Sequence, residues 1–150
     1  MQFMTATYTQ AETVFITVGN AEGAELEAGA VVEFDITATD ADQGHLVELV
    51  DIAVVATTGI AAPLAGVILK AIPTGGVGRS QVYGPATVRT NTTIAAGRLA
   101  VATSSSVSPT GVAIADVQTT TTTAAYAAAA LGIVYETVDT THARVQLQCM

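Results

Sequence analysis

The sequence predicts a mainly β protein: an antiparallel β-sandwich or barrel with at most one short helix and an extended N-terminal arm. Three observations carry this. Runs rich in β-branched residues recur, such as TVFITV at 13–18 and RLAVAT at 98–103. Turn signals built on Gly, Pro, Asn and Asp separate them at roughly 8–12-residue intervals. No period of roughly 20–50 residues recurs, so a solenoid is excluded.

The elements follow in order. Thr13 to Val18 reads as a strand, and Gly19-Asn20 turns the chain. Ala30 to Thr37 alternates, with Val32, Phe34 and Ile36 on one face and Glu33 and Asp35 on a wet one. His45 to Ala56 follows, with Leu46, Val50, Ile52 and Val54 at even positions and acids between them. Leu64 to Ile72 is a near-continuous apolar run, predicted to be buried on both faces. Gln81 to Thr90 contains Pro85, which predicts an edge strand or one broken by a bulge. Arg98 to Thr103 and Val112 to Val117 are further strands. The alanine block after Thr119 to Thr123 predicts a short helix from about Thr123 to Leu131, ended by Gly132, with an extended loop as the alternative. Gly132 to Val138 and Ala143 to Cys149 form a closing hairpin.

Composition narrows the class. The chain has 150 residues, is 50% hydrophobic and only 12% charged, and lacks tryptophan. Disorder goes with low hydrophobicity and high charge, so the composition argues against it. Five Lys or Arg against thirteen Asp or Glu, for a net charge of -8, exclude a basic nucleic-acid binder. Cys149 has no internal partner, so there is no disulfide scaffold. Ten of the thirteen acids lie between Glu12 and Asp51, while all five cations come later. This asymmetry predicts either a solubilising acidic surface or a face that meets a basic surface on a neighbour.

No signal peptide is visible, and the protein reads as soluble and made in a cytoplasm. Residues 52–69 carry no charge, but Thr57-Thr58-Gly59 and Pro63 make two strands around a turn a better reading than a membrane helix. The expected organisation is an arm over 1–12 followed by one β-rich domain over 13–150. The arm sets isolated large side chains in a small polar background. It is either a frayed end or a segment that orders on a partner. Phe3, Met4, Tyr8 and Phe15 are its candidate partner-binding side chains.

A search for chemistry yields no catalytic, cofactor-binding or metal site. Ser80 and Ser104 to Ser108 lack a nucleophile turn. His45 and His142 read as exposed turn residues, and Cys149 lies too near the C-terminus to be a poised nucleophile. Asp40-Ala41-Asp42-Gln43-Gly44 resembles the start of a calcium loop. Its glycine comes one place early, however, and Asp51 stands where a glutamate is needed. Thr74 to Gly78 is glycine-rich but lacks the phosphate-loop lysine, so it reads as a turn. Asn91-Thr92-Thr93 is a formal glycosylation triplet without a secretory context.

An ordered set of segments points to a family. It runs through Gly84-Pro85-Ala86-Thr87-Val88, Ile94-Ala95-Ala96-Gly97-Arg98-Leu99 and Ala102-Thr103-Ser104. It continues with Gly111-Val112-Ala113, Leu131-Gly132-Ile133-Val134-Tyr135-Glu136 and Ala143-Arg144-Val145-Gln146-Leu147. From about Leu64 to Met150 this order resembles the β-domain of tailed-phage head decoration (capsid cement) proteins. Arg98 stands where that pattern often has Asp, and the stretch from Thr119 to Ala130 is an insert in it. The resemblance implies a structural, non-enzymatic virion protein on the outer capsid surface. It also implies a homotrimer that binds the major capsid protein and cements neighbouring subunits against the pressure of packed DNA, with no cofactor, nucleic acid or membrane partner. The competing classes are another structural β-module of a virion or surface layer (tail tube, fibre or adhesin) and an enzyme or small-ligand binder on a β-barrel.

Overall fold

The computed structural model describes residues 12–37, 45–49, 63–90, 93–103, 112–114 and 130–149. These form nine strands: β1 (Val14–Asn20), β2 (Val31–Phe34), β3 (Leu46–Leu49), β4 (Leu64–Ile68), β5 (Val77–Arg89), β6 (Leu99–Thr103), β7 (Val112–Ile114), β8 (Ala130–Thr137) and β9 (His142–Gln148). Their order is β1-β3-β2-β4-β5-β9-β8-β6-β7, and β1 also pairs with β5. The first five strands in this order therefore close into a barrel. The rest continue as a sheet from the second half of β5. The mainly β class is as the sequence predicts.

Two cores follow from strand alternation. Val18, Leu26, Ala30, Val32, Val47, Ala65, Ile68 and Ile72 fill the barrel. Val31 and Val67 point the other way, out of the barrel. They join Ala86, Val88, Val101, Leu131, Val134, Val145 and Leu147 in a second core. Barrel strands β2 and β4 are thus buried on both faces. This bears out the reading of the apolar run over Leu64–Ile68, whereas Leu69 to Ala71 are exposed, and it corrects that of β2. Its second face is not wet: Glu33 is buried, opposite Glu48 of β3 and Leu64 of β4.

The phase of β3 is also corrected. Phe34 pairs with Val47 and Val32 with Leu49, and the odd residues Val47 and Leu49 turn to the barrel core. Packing across the barrel decides the phase here, rather than the apolar residues further along the segment, and a one-residue slip exchanges the two faces. The sheet is not wholly antiparallel either: Gly19 pairs with Leu46 and Asn20 with Val47 in parallel to close the barrel.

Pro85 lies on a local edge of a strand that is central as a whole. β5 is the longest strand, at 13 residues, and it is central. Its first half pairs with β1 and β4, and its second half with β9. A register shift against β1 skips Val82, so the predicted irregularity is present. The Arg89 N–H turns away from β9 to the Gly29 carbonyl. By the period of two, residues 85 and 87 turn the same way, so the missing N–H of Pro85 removes no ladder bond. The buried Gln81 amide donates to the carbonyls of Tyr83 (3.1 Å) and Pro85 (2.9 Å), covering this edge.

Residues 123–129 of the expected helix lie outside the described residues. Ala130 and Leu131 open β8, and Leu131 is fully buried in the second core. Gly132 is therefore no helix stop. It sits inside β8 at a positive φ, where a Cβ would collide with the Gln146 carbonyl of β9. The closing hairpin is as expected: β8 and β9 are antiparallel, from Gly132–Leu147 to Thr137–Ala143.

Candidate interaction surface

Strand alternation also decides what the barrel shows outside. On β1, Ile16 and Val18 turn inward while Phe15 and Thr17 are exposed. On β5, Ser80 and Val82 are buried while Val77 and Arg79 are exposed. The registers Phe15–Gln81, Thr17–Arg79 and Gly19–Val77 place these side chains on one wall. Leu69, just past β4, joins them through its N–H bond to the Arg79 carbonyl, at 3.3 Å. Phe15, Leu69 and Val77 are 41%, 45% and 73% exposed.

A second apolar surface lies on the outer face of the sheet. Leu99 of β6 pairs with Ile133 of β8, and Tyr135 follows two residues on. All three are exposed. Nearby, Arg144 of β9 donates to Glu136 at 2.8 Å. Large exposed apolar surfaces mark interaction sites more often than chance.

Of the sequence-predicted binding residues, Phe15 lies on the barrel wall, half exposed. Phe3, Met4 and Tyr8 lie outside the described residues, as do the calcium-like segment Asp40 to Gly44, Asp51, Ser104 to Ser108 and Asn91-Thr92. Sequence reading missed Leu69, Val77, Leu99, Ile133 and Tyr135. The available signal was apolar residues that fall out of phase with the core.

The groups screened for chemistry have structural settings. The buried Ser80 hydroxyl donates to the Ala65 carbonyl at 2.5 Å. His45 is exposed at the start of β3. His142 is half-buried, with Nδ1 3.2 Å from the Asp139 carboxylate. The Asp139 carboxyl is held down at about 2, chiefly by the Thr141 N–H and hydroxyl that it accepts. Cys149 is anchored rather than loose: its N–H bonds the Val82 carbonyl and its side chain packs on the second core. Burial pushes its thiol up to about 11. Thr74-Gly75 is a turn closed by the Gly76 N–H on the Pro73 carbonyl. Among the described residues no three His, Cys, Asp or Glu come together as metal ligands, and no helix is long and apolar enough to cross a membrane. An open cleft of about 410 Å³ lies where β4 and β5 diverge, lined by Gly29, Leu69, Gln81, Pro85, Thr87 and His142 among others.

No family model matches the chain, and no curated protein matches it. One solved structure does: the N-terminal base of the head fibre protein gp8.5 of bacteriophage phi29. The match covers 92% of this chain and 96% of that one, with a TM-score of 0.53 and 11% identical residues. At that identity the likeness shows the fold alone.

Proposed function

We propose that this chain is a structural protein of a bacteriophage head. It sits on the outer capsid surface as a homotrimer, binds the major capsid protein and cements neighbouring subunits against internal DNA pressure. The observation that carries this reading is the likeness to a phage head fibre base, which spans nearly all of both chains. The ordered segments from Leu64 to Met150 support it independently of that likeness.

The work is done by fitted surfaces and not by bond-making groups. A protein that binds the expanded lattice better than its unassembled parts stabilises that lattice by mass action. Many weak contacts on one shell add together. The exposed apolar side chains Leu99, Ile133 and Tyr135 suit such contacts. The segment before Glu12, with Phe3, Met4 and Tyr8, serves as a binding arm.

A second reading, the base of a head fibre, is favoured by what the structural neighbour is. Adding purified protein to mature capsids that lack it separates the two. A cement protein saturates a lattice-wide set of sites and raises the temperature at which the shell opens. A fibre base occupies few sites and leaves that temperature unchanged. No binding to capsids contradicts both readings.

A further inference from the structure

The charge asymmetry of the chain is resolved unevenly within the fold. Arg89 pairs with Glu27, and Arg144 with Glu136. Lys70 and Arg79 have no ion pair among the described residues, and both are exposed. In a chain of net charge -8 these are two cations without a charge partner in the described fold. Arg79 shares its wall with Phe15, Leu69 and Val77, all exposed. A guanidinium set among apolar side chains is the composition of an interface centre, since Arg and aromatic anchors carry much of the energy there.

The matching charge is on the same chain. The loop after β1 runs across one end of the barrel. Asn20 fixes it by donating to the Ala24 and Ile72 carbonyls, each at 2.9 Å. Glu22 is used within the fold, accepting the Leu49 N–H at 2.9 Å, and Glu27 is used by Arg89. Glu25 is exposed between them and has no ion pair among the described residues. Glu25 belongs to the loop after β1, whereas Arg79 belongs to β5. A contact between them joins two different patches, so it is heterologous, and such a contact makes a closed ring when its rotation closes and a filament when it does not.

We infer that the Phe15–Leu69–Val77 wall, centred on Arg79, docks the Glu25-bearing loop of a second copy of this chain. This deepens the proposed homotrimer by naming its two faces. Complementary charge fixes register and suppresses wrong partners, while the apolar ring excludes water around the pair.

The test uses the full chain and reads its mass by light scattering across a concentration series. The wild type associates, and R79E and E25R each raise the half-dissociation concentration about tenfold or more. The double reversal R79E/E25R returns towards the wild type, and added salt weakens the wild-type complex. Circular dichroism confirms folding. A monomer at every concentration, an unchanged R79E or an unrescued double variant overturns the inference. Capsid binding is measured separately. If R79E keeps the oligomer but loses the capsid, the wall faces the capsid and the inference fails while the head-protein reading stands. If the charge pair behaves as expected but capsids are not bound, the head-protein reading fails instead.

Discussion

Arg89 at the end of β5 forms an ion pair with Glu27 in the loop between β1 and β2, and its aliphatic stem lies over Gly29. An acid of the negatively charged first third is thus answered within the chain. The contact ties the loop entering β2 to the strand that both cores share. Both side chains are partly exposed, so the charge itself contributes only about 0.5 kcal/mol. Arg89→Ala also loses the packing of the stem, and about 1 kcal/mol is expected. Glu27→Gln should cost less than Arg89→Ala in urea denaturation. Equal losses would assign the whole effect to charge.

Asn20 is buried and satisfies three backbone groups: the Ala24 and Ile72 carbonyls and the Glu22 N–H. Removing a partner from buried groups costs their desolvation. Asn20→Ala should destabilise by about 3 kcal/mol. Asn20→Asp keeps the size but places an acceptor against two carbonyls, and it should be at least as damaging. A near-neutral Asn20→Asp, read by chemical denaturation, would contradict this account of the barrel end.

Gly66 lets β4 cross tightly over β5. Its φ is +99°, and a Cβ would strike the Gln81 carbonyl and meet the Ser80 hydroxyl. Gly66→Ala should cost about 3 kcal/mol or prevent folding. Gly23→Ala, where a Cβ meets nothing within 4 Å, should be nearly neutral. Thermal melts of the two variants make the comparison.

Two titrations have opposite signs. The Cys149 thiol is raised to about 11 from 9.0, so its contribution to stability is complete below pH 9 and is lost as pH rises through 11. It should react slowly with iodoacetamide at pH 8 and rapidly once the chain is unfolded. The Asp139 carboxyl is lowered to about 2 from 3.8, so its contribution is present above pH 3.8 and is lost as pH falls through 2. A side-chain NMR titration reads it directly. Fast alkylation of the native thiol would contradict the packing of Cys149.

Removing residues 1–10 should weaken capsid binding while leaving the thermal melt unchanged, because their sequence sets isolated Phe3 and Tyr8 in a non-periodic polar background. Unchanged capsid affinity, measured by co-sedimentation, would remove the arm from the account.

Much of the fold was legible because strands announce themselves locally. The β-branched run at 13–18, the apolar run from Leu64 and the closing hairpin all lie where alternation and turn residues put them. Phase and partnership were not legible. Val47 and Glu33 take their faces from strands distant in sequence, and no local pattern records that. Pro85 marked its own stretch correctly, since β5 there has a strand partner on one side only, but not the central place of the whole strand. Leu131 read as helix on the strength of neighbouring alanines, yet its burial comes from β6 and β9. Of the interaction surface, only Phe15 was visible beforehand. Leu69 and Val77 look like core residues until the registers turn them outward.

The most direct test of the central claim is cryo-electron microscopy of purified phage particles carrying this chain. The account predicts density for the barrel and its sheet, repeated in threefold groups on the outer capsid surface and touching neighbouring capsid subunits. Finding the chain in the tail, or absent from purified particles, would contradict it.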